Sequence, residues 1–572
     1  MVKRSSSLGD QDTFSNLPES IIHHILSFLD MKYVVKTCVL SKAWKYIWVS
    51  VPNLEFNYKL HSSVGLRMSP FICFVDQVLL LHDDTSIQKF HLILQDMSNA
   101  AHIRTWIRVA IMRNVQELDL DISEQERLVF ELPPSVFTCN SLRTLNVTHQ
   151  SSWPSLDLKM PCSVSLPMLR NLQLTAIRFC NEKLIADLFS SCPVLETLII
   201  SYCGFSNTRN LNISANQLKE LVIENCFSGY DELSELKIKV SAPRLESIRC
   251  IDVELNEFNL ENLQSLVKAD IDIAIHTRYD WFHEIKSYCK EKEPYGVRVI
   301  NILGGLSTAK ILTLSTWSIQ FLSEVLGRCQ YQLTSFKNLR YLKVTTFCTS
   351  ACLRAATWLL QSFSNLRIFS MVIDKKCCST IPNFDYAKKK LCSSYHDEQW
   401  RKELPSQCTL HYLKYIRIRK FLGCQNEIDF LIYLMNKAVN LERLIITSSH
   451  NCTEEKLRGI HALLLNYHCA FPHVAIFFFR EASSELESSS EEESSESEEE
   501  NTGSEQEGSG SEEENSDSEQ ESSGSEEEHS GAEQEGSGSD EENPGSNRGY
   551  SGSELEGSGT EQEHSSSEDN NP

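Results

Sequence analysis

The sequence predicts a multidomain chain: a small N-terminal unit of three helices, a long α/β repeat solenoid with an αβ C-terminal cap, and a disordered acidic tail. Three observations carry this. Between residues 13 and 54, apolar residues recur at helical spacing. Through much of the body a pattern LxxLxL returns every 23 to 28 residues. Beyond residue 480 apolar residues all but vanish and acidic ones take over.

The N-terminal unit comes first. After a polar stretch, residues 1–12, the chain reads TFSNLPESIIHHILSFLDMKYVVKTCVLSKAWKYIWVSVPNL. Ile21, Ile22, Ile25, Leu26 and Leu29 follow Leu17-Pro18 at three-to-four-residue steps. Val34, Val35, Cys38 and Val39 repeat the pattern, then Trp44, Ile47 and Trp48. Pro18 suits a helix start, and Asn16 and Ser41 are capping residue types. A unit of about forty residues buries little core of its own, so this much apolar surface implies a covering partner.

The segment resembles the F-box. It opens on LPxxIxxxILSFL, continues with VVxTCVLSxxW and closes on IWxSVPNL, the form found in plant F-box proteins with leucine-rich repeats. The resemblance implies docking on a Skp-type adaptor and, through it, a cullin. Carried over position by position, the adaptor-facing residues would be Leu17, Pro18, Ile22, Ile25, Leu26, Leu40 and Trp44.

The region 55–400 reads as bridging helices and then repeats. Nine strong copies begin at Leu142, Leu169, Leu195, Leu218, Leu245, Leu339, Leu366, Leu413 and Leu441. Weaker copies lie near Leu118, Leu263 and Leu312. This period is the signature of leucine-rich repeats. Alternate leucines put one face of a short strand into a core that a single repeat cannot close, so neighbours must stack. Two stretches break the period. Residues 270–301 read as a helix-plus-loop insertion, and 374–407 as a polar one containing Lys388, Lys389 and Lys390, a solvated run.

Residues 401–480 alternate β-α-β-α-β. A WxxxLP opening from Trp400, a helix from about Glu427 to Lys437 and the NLERLII strand resemble the FBD domain that closes many of these plant proteins. A terminal αβ unit suits the exposed end of a repeat stack. HVAIFFF, from His473 to Phe479, reads as a buried strand.

The net charge of −24 averages two different polymers. Residues 481–572 hold 32 acidic residues and Arg548 as the lone base, a net of −31; the rest holds 46 acidic and 53 basic residues, a net of +7. The tail repeats a 14-residue unit from Ser504, Ser518 and Ala532. Too few apolar residues remain to offset the entropy of ordering, so it reads as disordered. Ser488, Ser511 and Ser525 each precede a carboxylate by three residues and are phosphorylation candidates of the acidophilic type.

All 20 cysteines lie in the body without zinc-ligand spacing, so no metal is expected and no cofactor is called for. No GxGxxG, P-loop, HExxH or GxSxG is present, and catalytic residues are not expected. Asp119 with Asp121, and Asp270 with Asp272, read as outward strand positions. No apolar run approaches a membrane span, and no membrane or direct nucleic-acid partner is expected. Unpaired cysteines suit the cytoplasm or nucleus. The late repeats present Tyr341, Lys343, Tyr415, Arg417, Arg419 and Arg443 outward, which makes them candidates for holding an unknown protein target.

These readings converge on a non-catalytic, substrate-recognition subunit of an SCF-type ubiquitin ligase. The alternative is a scaffold outside any ligase whose acidic tail binds basic proteins such as histones. Composition also makes a direct prediction about stability. Removing 481–572 leaves the melting temperature of the body unchanged at moderate salt, as calorimetry of the two forms will show; a large drop would refute the spacer reading.

Overall fold

Leucines spaced for strand burial need a neighbour on each side. The computed structural model shows how each finds one. It describes residues 17–481 apart from 43, 62–68, 95–99, 123–127, 131, 151–155, 159–160, 162, 180–181, 206–209, 228–235, 253–255, 274–292, 327–335, 375–408 and 451. The tail with Ser488, Ser511 and Ser525, the opening of the FBD-like segment at Trp400 and the Lys388–Lys390 run therefore lie outside the described residues.

One parallel sheet of fifteen strands runs through the described body. It starts with Asn53–Asn57, Lys89–Leu94 and Glu117–Ile122, passes through the repeat strands from Thr144–His149 onward, and ends with Tyr415–Phe421, Arg443–Ser448 and Ala475–Arg480. Its strands follow one another in chain order. The weaker copies near Leu118, Leu263 and Leu312 all supply strands: Glu117–Ile122, Lys268–Ile273 and Ile311–Leu314.

Register is kept along one row across all fifteen strands. Leu54, Phe90, Leu118, Leu145, Leu172, Leu198 and Leu221 sit side by side across successive strands. The row continues through Ile248, Ala269, Leu312, Leu342, Phe369, Ile416 and Leu444 to Ile476. Each residue from Leu54 to Leu444 in this row is buried. The first leucine of every strong copy is buried as well.

A second device pins the rungs. The carbonyl of the residue before one strand accepts two N–H groups from the start of the next. Arg143 O takes Arg170 N at 2.8 Å and Asn171 N at 3.0 Å; Arg367 O takes Lys414 N at 2.9 Å and Tyr415 N at 3.1 Å. The same arrangement recurs at Gln116, Arg170, Glu196, Lys219, Glu246, Val267, Lys310, Arg340 and Lys414.

What covers the buried rows changes along the chain. Helices Ser69–Leu81 and Ala100–Met112 serve the first strands. Helices Thr316–Leu326, Ser350–Ser362, Gln425–Lys437 and Glu454–Ala470 serve the last. In the middle, short strands form two further parallel sheets, one of four strands and one of three. The insertion expected at 270–301 begins inside repeat strand Lys268–Ile273 and contributes helix Glu293–Gly305, with 274–292 outside the described residues.

The N-terminal unit differs from the three-helix expectation. Among the described residues it has helices Glu19–Leu26 and Met31–Lys36, then only short 3-10 turns at Thr37–Val39 and Ile47–Ser50. Ser41 starts no helix, because the third segment is a turn followed by that second 3-10 stretch. The cap that matters is Asp30. Its carboxylate accepts Lys32 N at 2.7 Å and Asn57 N at 2.8 Å, tying the second helix to the first strand. Burial raises the Asp30 pKa, against the lowering effect of those N–H groups.

HVAIFFF is a strand but not a buried one. Phe477 and Phe479 are exposed, because Ala475–Arg480 is the last strand of the sheet and no layer among the described residues covers its outward face. At mid-sheet the reverse holds. Leu342→Ala removes a fully buried side chain from the central row and is expected to cost about 2–5 kcal/mol, measurable as a lowered denaturant midpoint with unchanged slope.

Candidate protein-interaction surfaces

In the first helix, side chains at 21, 22, 25 and 26 are all apolar, so spacing alone leaves the inward face open. The structure divides them. Ile22, Leu26, Met31, Val34 and Trp44 are buried in a core continuous with Leu54 and Phe56. Ile21, Ile25, Phe28, Leu29, Tyr33, Val39, Leu40 and Tyr46 are exposed. Phe28 is 74%, Val39 82% and Leu40 65% exposed, which is unusual for such side chains in close succession.

The structure divides the sequence-derived set. Ile22, Leu26 and Trp44 are buried, and their side chains support the unit from inside. Ile25, Leu40 and Pro18 are exposed, and Leu17 is half-buried against the core. Phe28, Tyr33 and Val39 are exposed with them and were not in that set. The only signal in the sequence was that too many apolar positions competed for one inward face.

The outward side of the sheet is the second surface. The residues between the buried rows stand there, and the polarity shifts along it. At the first strands His91 lies between Glu55 and Asp119, with nitrogen–oxygen distances of 3.8 and 3.7 Å. Burial works against a charge on His91, but the Glu55 hydrogen bond and the Asp119 charge outweigh it and raise its pKa. Asn146 and Gln173 follow in the next strands of the same row, and Thr144, Asn171 and Thr197 in the row beside it. Asp270 faces Arg249 at 3.4 Å, and burial raises its pKa.

At the last strands the surface turns basic and aromatic. Tyr415 pairs with Arg443, and Arg417 with Ile445, which pairs in turn with Phe477. Arg419 continues the same strand before a bulge at Lys420, whose φ of 61° lies in the left-handed region. The Arg443 guanidinium sits 5.8 Å from the centres of both the Tyr415 and Phe477 rings, within range of cation–π attraction. Phe477 and Phe479 lie parallel, with centres 6.3 Å apart. Burial and the neighbouring Glu442 raise the Tyr415 pKa. Lys414 donates to Glu442 at 2.6 Å and lowers the pKa of that carboxylate.

Four of the six sequence-derived target residues, Tyr415, Arg417, Arg419 and Arg443, are thus brought together. Tyr341 and Lys343 face the same way but stand two strands off, behind Ile368 and Ser370. Phe477 and Phe479 belong to the patch and were missed, because a run of consecutive aromatics reads as buried on both faces.

Comparison with known proteins places these features in a class. A model of the F-box domain matches residues 14–56, one of the leucine-rich repeats of "FBD-associated F-box protein At5g56370" matches 103–268, and one of the FBD matches 402–446. "FBD-associated F-box protein At1g66310" of Arabidopsis thaliana is 30% identical over 351 residues, covering 60% of this chain and 73% of that protein. "F-box/LRR-repeat protein 13" of the same plant is 26% identical over 480 residues, covering 82% and 96%. "F-box/FBD/LRR-repeat protein At1g78750" is 29% identical over 357 residues, covering 60% and 73%. The chain belongs to the plant F-box proteins with leucine-rich repeats and an FBD domain. Among the described residues no helix is long and apolar enough to cross a membrane.

The split within the first helix is testable without any partner. Leu26→Ala should destabilise the N-terminal unit by about 2–5 kcal/mol, whereas Phe28→Ala should leave its unfolding within about 0.5 kcal/mol of wild type. Hydrogen exchange at residues 19–36 reads both, and equal effects would contradict the inward–outward division.

Proposed function

We propose that the chain is the substrate-recognition subunit of an SCF-type ubiquitin ligase. Its N-terminal unit would dock on a Skp-type adaptor, and its leucine-rich repeats, read as a solenoid closed by the FBD-like unit, would hold a protein target. F-box proteins with leucine-rich repeats are typically adaptors of this kind, and generally without catalytic activity. The observation that carries the reading is the apolar surface left outside on residues 21–46 while a second apolar set is buried beneath it. Such a surface is stable in water only at a cost that a partner removes.

The mechanism is proximity. The chain would form and break no bonds, but would raise the concentration of its target beside the ubiquitin-loaded enzyme. The target would sit on the outward side of the last strands, where Tyr415, Arg417, Arg419, Arg443 and Phe477 offer aromatic and guanidinium anchors. Those groups suit an acidic or phosphorylated protein segment. The cytoplasm or nucleus is the proposed setting.

A titration with a purified Skp-type adaptor tests the first half. Wild-type protein should bind, and Phe28→Ala with Leu40→Ala should weaken binding by about 2–4 kcal/mol, the range of interface hot spots, while circular dichroism stays unchanged. Failure of wild-type protein to retain the adaptor, or full affinity in the double variant, would remove the ligase reading.

A further inference from the structure

We infer that Cys348, Cys424 and Glu427 form a binding site for a thiophilic divalent cation with the chemistry of zinc, its fourth position left to water. One ligand atom from each residue lies within 4.8 Å of the other two. Tetrahedral zinc with bonds of about 2.3 Å to sulfur and about 2.0–2.2 Å to oxygen sets its ligand atoms roughly 3.5–3.8 Å apart. The three atoms, within 4.8 Å of one another, therefore need to close by no more than about 1.3 Å. Two thiolates and a carboxylate are a donor set that soft-to-borderline cations prefer over magnesium or calcium.

The carboxylate is held as a metal ligand would be. Glu427 is only 2% exposed. Its Oε2 accepts Leu422 N at 2.8 Å and Gly423 N at 2.7 Å. Oε1 is buried and has no hydrogen-bond partner. Capping the loop accounts for one oxygen and leaves the other facing two sulfurs. Gly423 makes this approach possible: its φ is +67°, and a Cβ there would lie 2.9 Å from Ile460 Cδ1. Cys424 is the N-cap of helix Gln425–Lys437 and makes no side-chain capping bond, so its sulfur is uncommitted to the helix. Asn426 Nδ2 donates to Cys348 O at 3.2 Å and fixes the third ligand's backbone to the same helix. Supports of this kind orient ligands in known metal sites.

Each thiol would release its proton to solvent as the cation binds. The cation would join the segment after strand Tyr341–Thr346 to the first turn of helix Gln425–Lys437.

Cobalt titration of the reduced, chelator-stripped full chain tests this, because thiolate-to-cobalt charge-transfer absorption reports sulfur ligands alone. Cobalt bound weakly by tail carboxylates is silent in that band. Wild-type protein should develop the band with saturation at one equivalent and lose it on zinc addition. Cys424→Ser puts a favoured capping residue at the N-cap, so the fold should persist while cobalt affinity falls by at least about tenfold. Glu427→Gln keeps an acceptor for the two N–H groups and should weaken binding by about 10–100-fold with the band retained at saturation. Cys469→Ser, an exposed cysteine elsewhere, should change nothing. Zinc should raise the melting temperature of wild-type protein but not of Cys424→Ser. No band in wild-type protein, an identical band in the Cys348→Ser, Cys424→Ser double variant, or a Cys348–Cys424 disulfide in peptide mapping with no cobalt uptake after reduction would each overturn the assignment.

Discussion

The structure depends on one constraint: every repeat strand must meet its neighbour in register. A strand with alternating leucines has no stability alone. Side chains have a period of two, so a slip of one residue would turn the whole buried row from Leu54 to Leu444 toward water. The paired N–H groups on a single carbonyl before most of the strands make that slip costly, because both donors would lose their acceptor together. Once one rung is fixed, the next can settle in only one way. This is why repeats with weak sequence patterns, such as the one containing Ala269, still keep their place between strong neighbours.

A stack of this kind has two ends, and the chain treats them differently. The first strand is held by the N-terminal helical unit. Asp30 bridges from the second helix to Asn57, and His82, just after helix Ser69–Leu81, contacts Val51 O ahead of that strand at 2.9 Å. The last strand has no successor among the described residues. Its inward side chains lie against helix Glu454–Ala470, where His461 meets Phe478 edge-on, but Phe477 and Phe479 remain exposed on the outward side. An exposed edge strand with aromatics is normally an aggregation hazard. Arg443 over Phe477 and Arg480 at the strand's end put charge at that edge, and charge is a common protection there.

The sequence made the repeats legible because their signal is local. LxxLxL encodes burial within a single strand, and nine copies repeat it. The division of the first helix was not legible, since Ile21, Ile22, Ile25 and Leu26 are equally apolar and only packing selects which pair turns inward. That Tyr415, Arg417, Arg419 and Arg443 stand outward was legible because outward positions follow from the same alternation that buries the leucines. Phe477 and Phe479 escaped because an aromatic run hides alternation. The Cys348, Cys424 and Glu427 cluster escaped for a different reason: its members meet through sheet stacking and a helix start, and no spacing between Cys348 and Cys424 encodes that.

Register also bears on the proposed mechanism. Fourteen spacings of about 4.8 Å separate the first strand from the fifteenth, roughly 67 Å measured along the sheet. Over that path each strand is hydrogen-bonded to the next, so the distance is set by backbone geometry rather than by side-chain contacts. Proximity works only when the held group stays within reach of its reaction partner, and a floppy connection of this length would dilute the effect. A continuous parallel ladder resists that dilution. On this reading the leucines do more than fill a core: they keep the apolar surface at residues 21–46 and the basic, aromatic patch at the last strands at a fixed separation. A substitution in the buried row could then impair target modification while leaving each surface chemically intact.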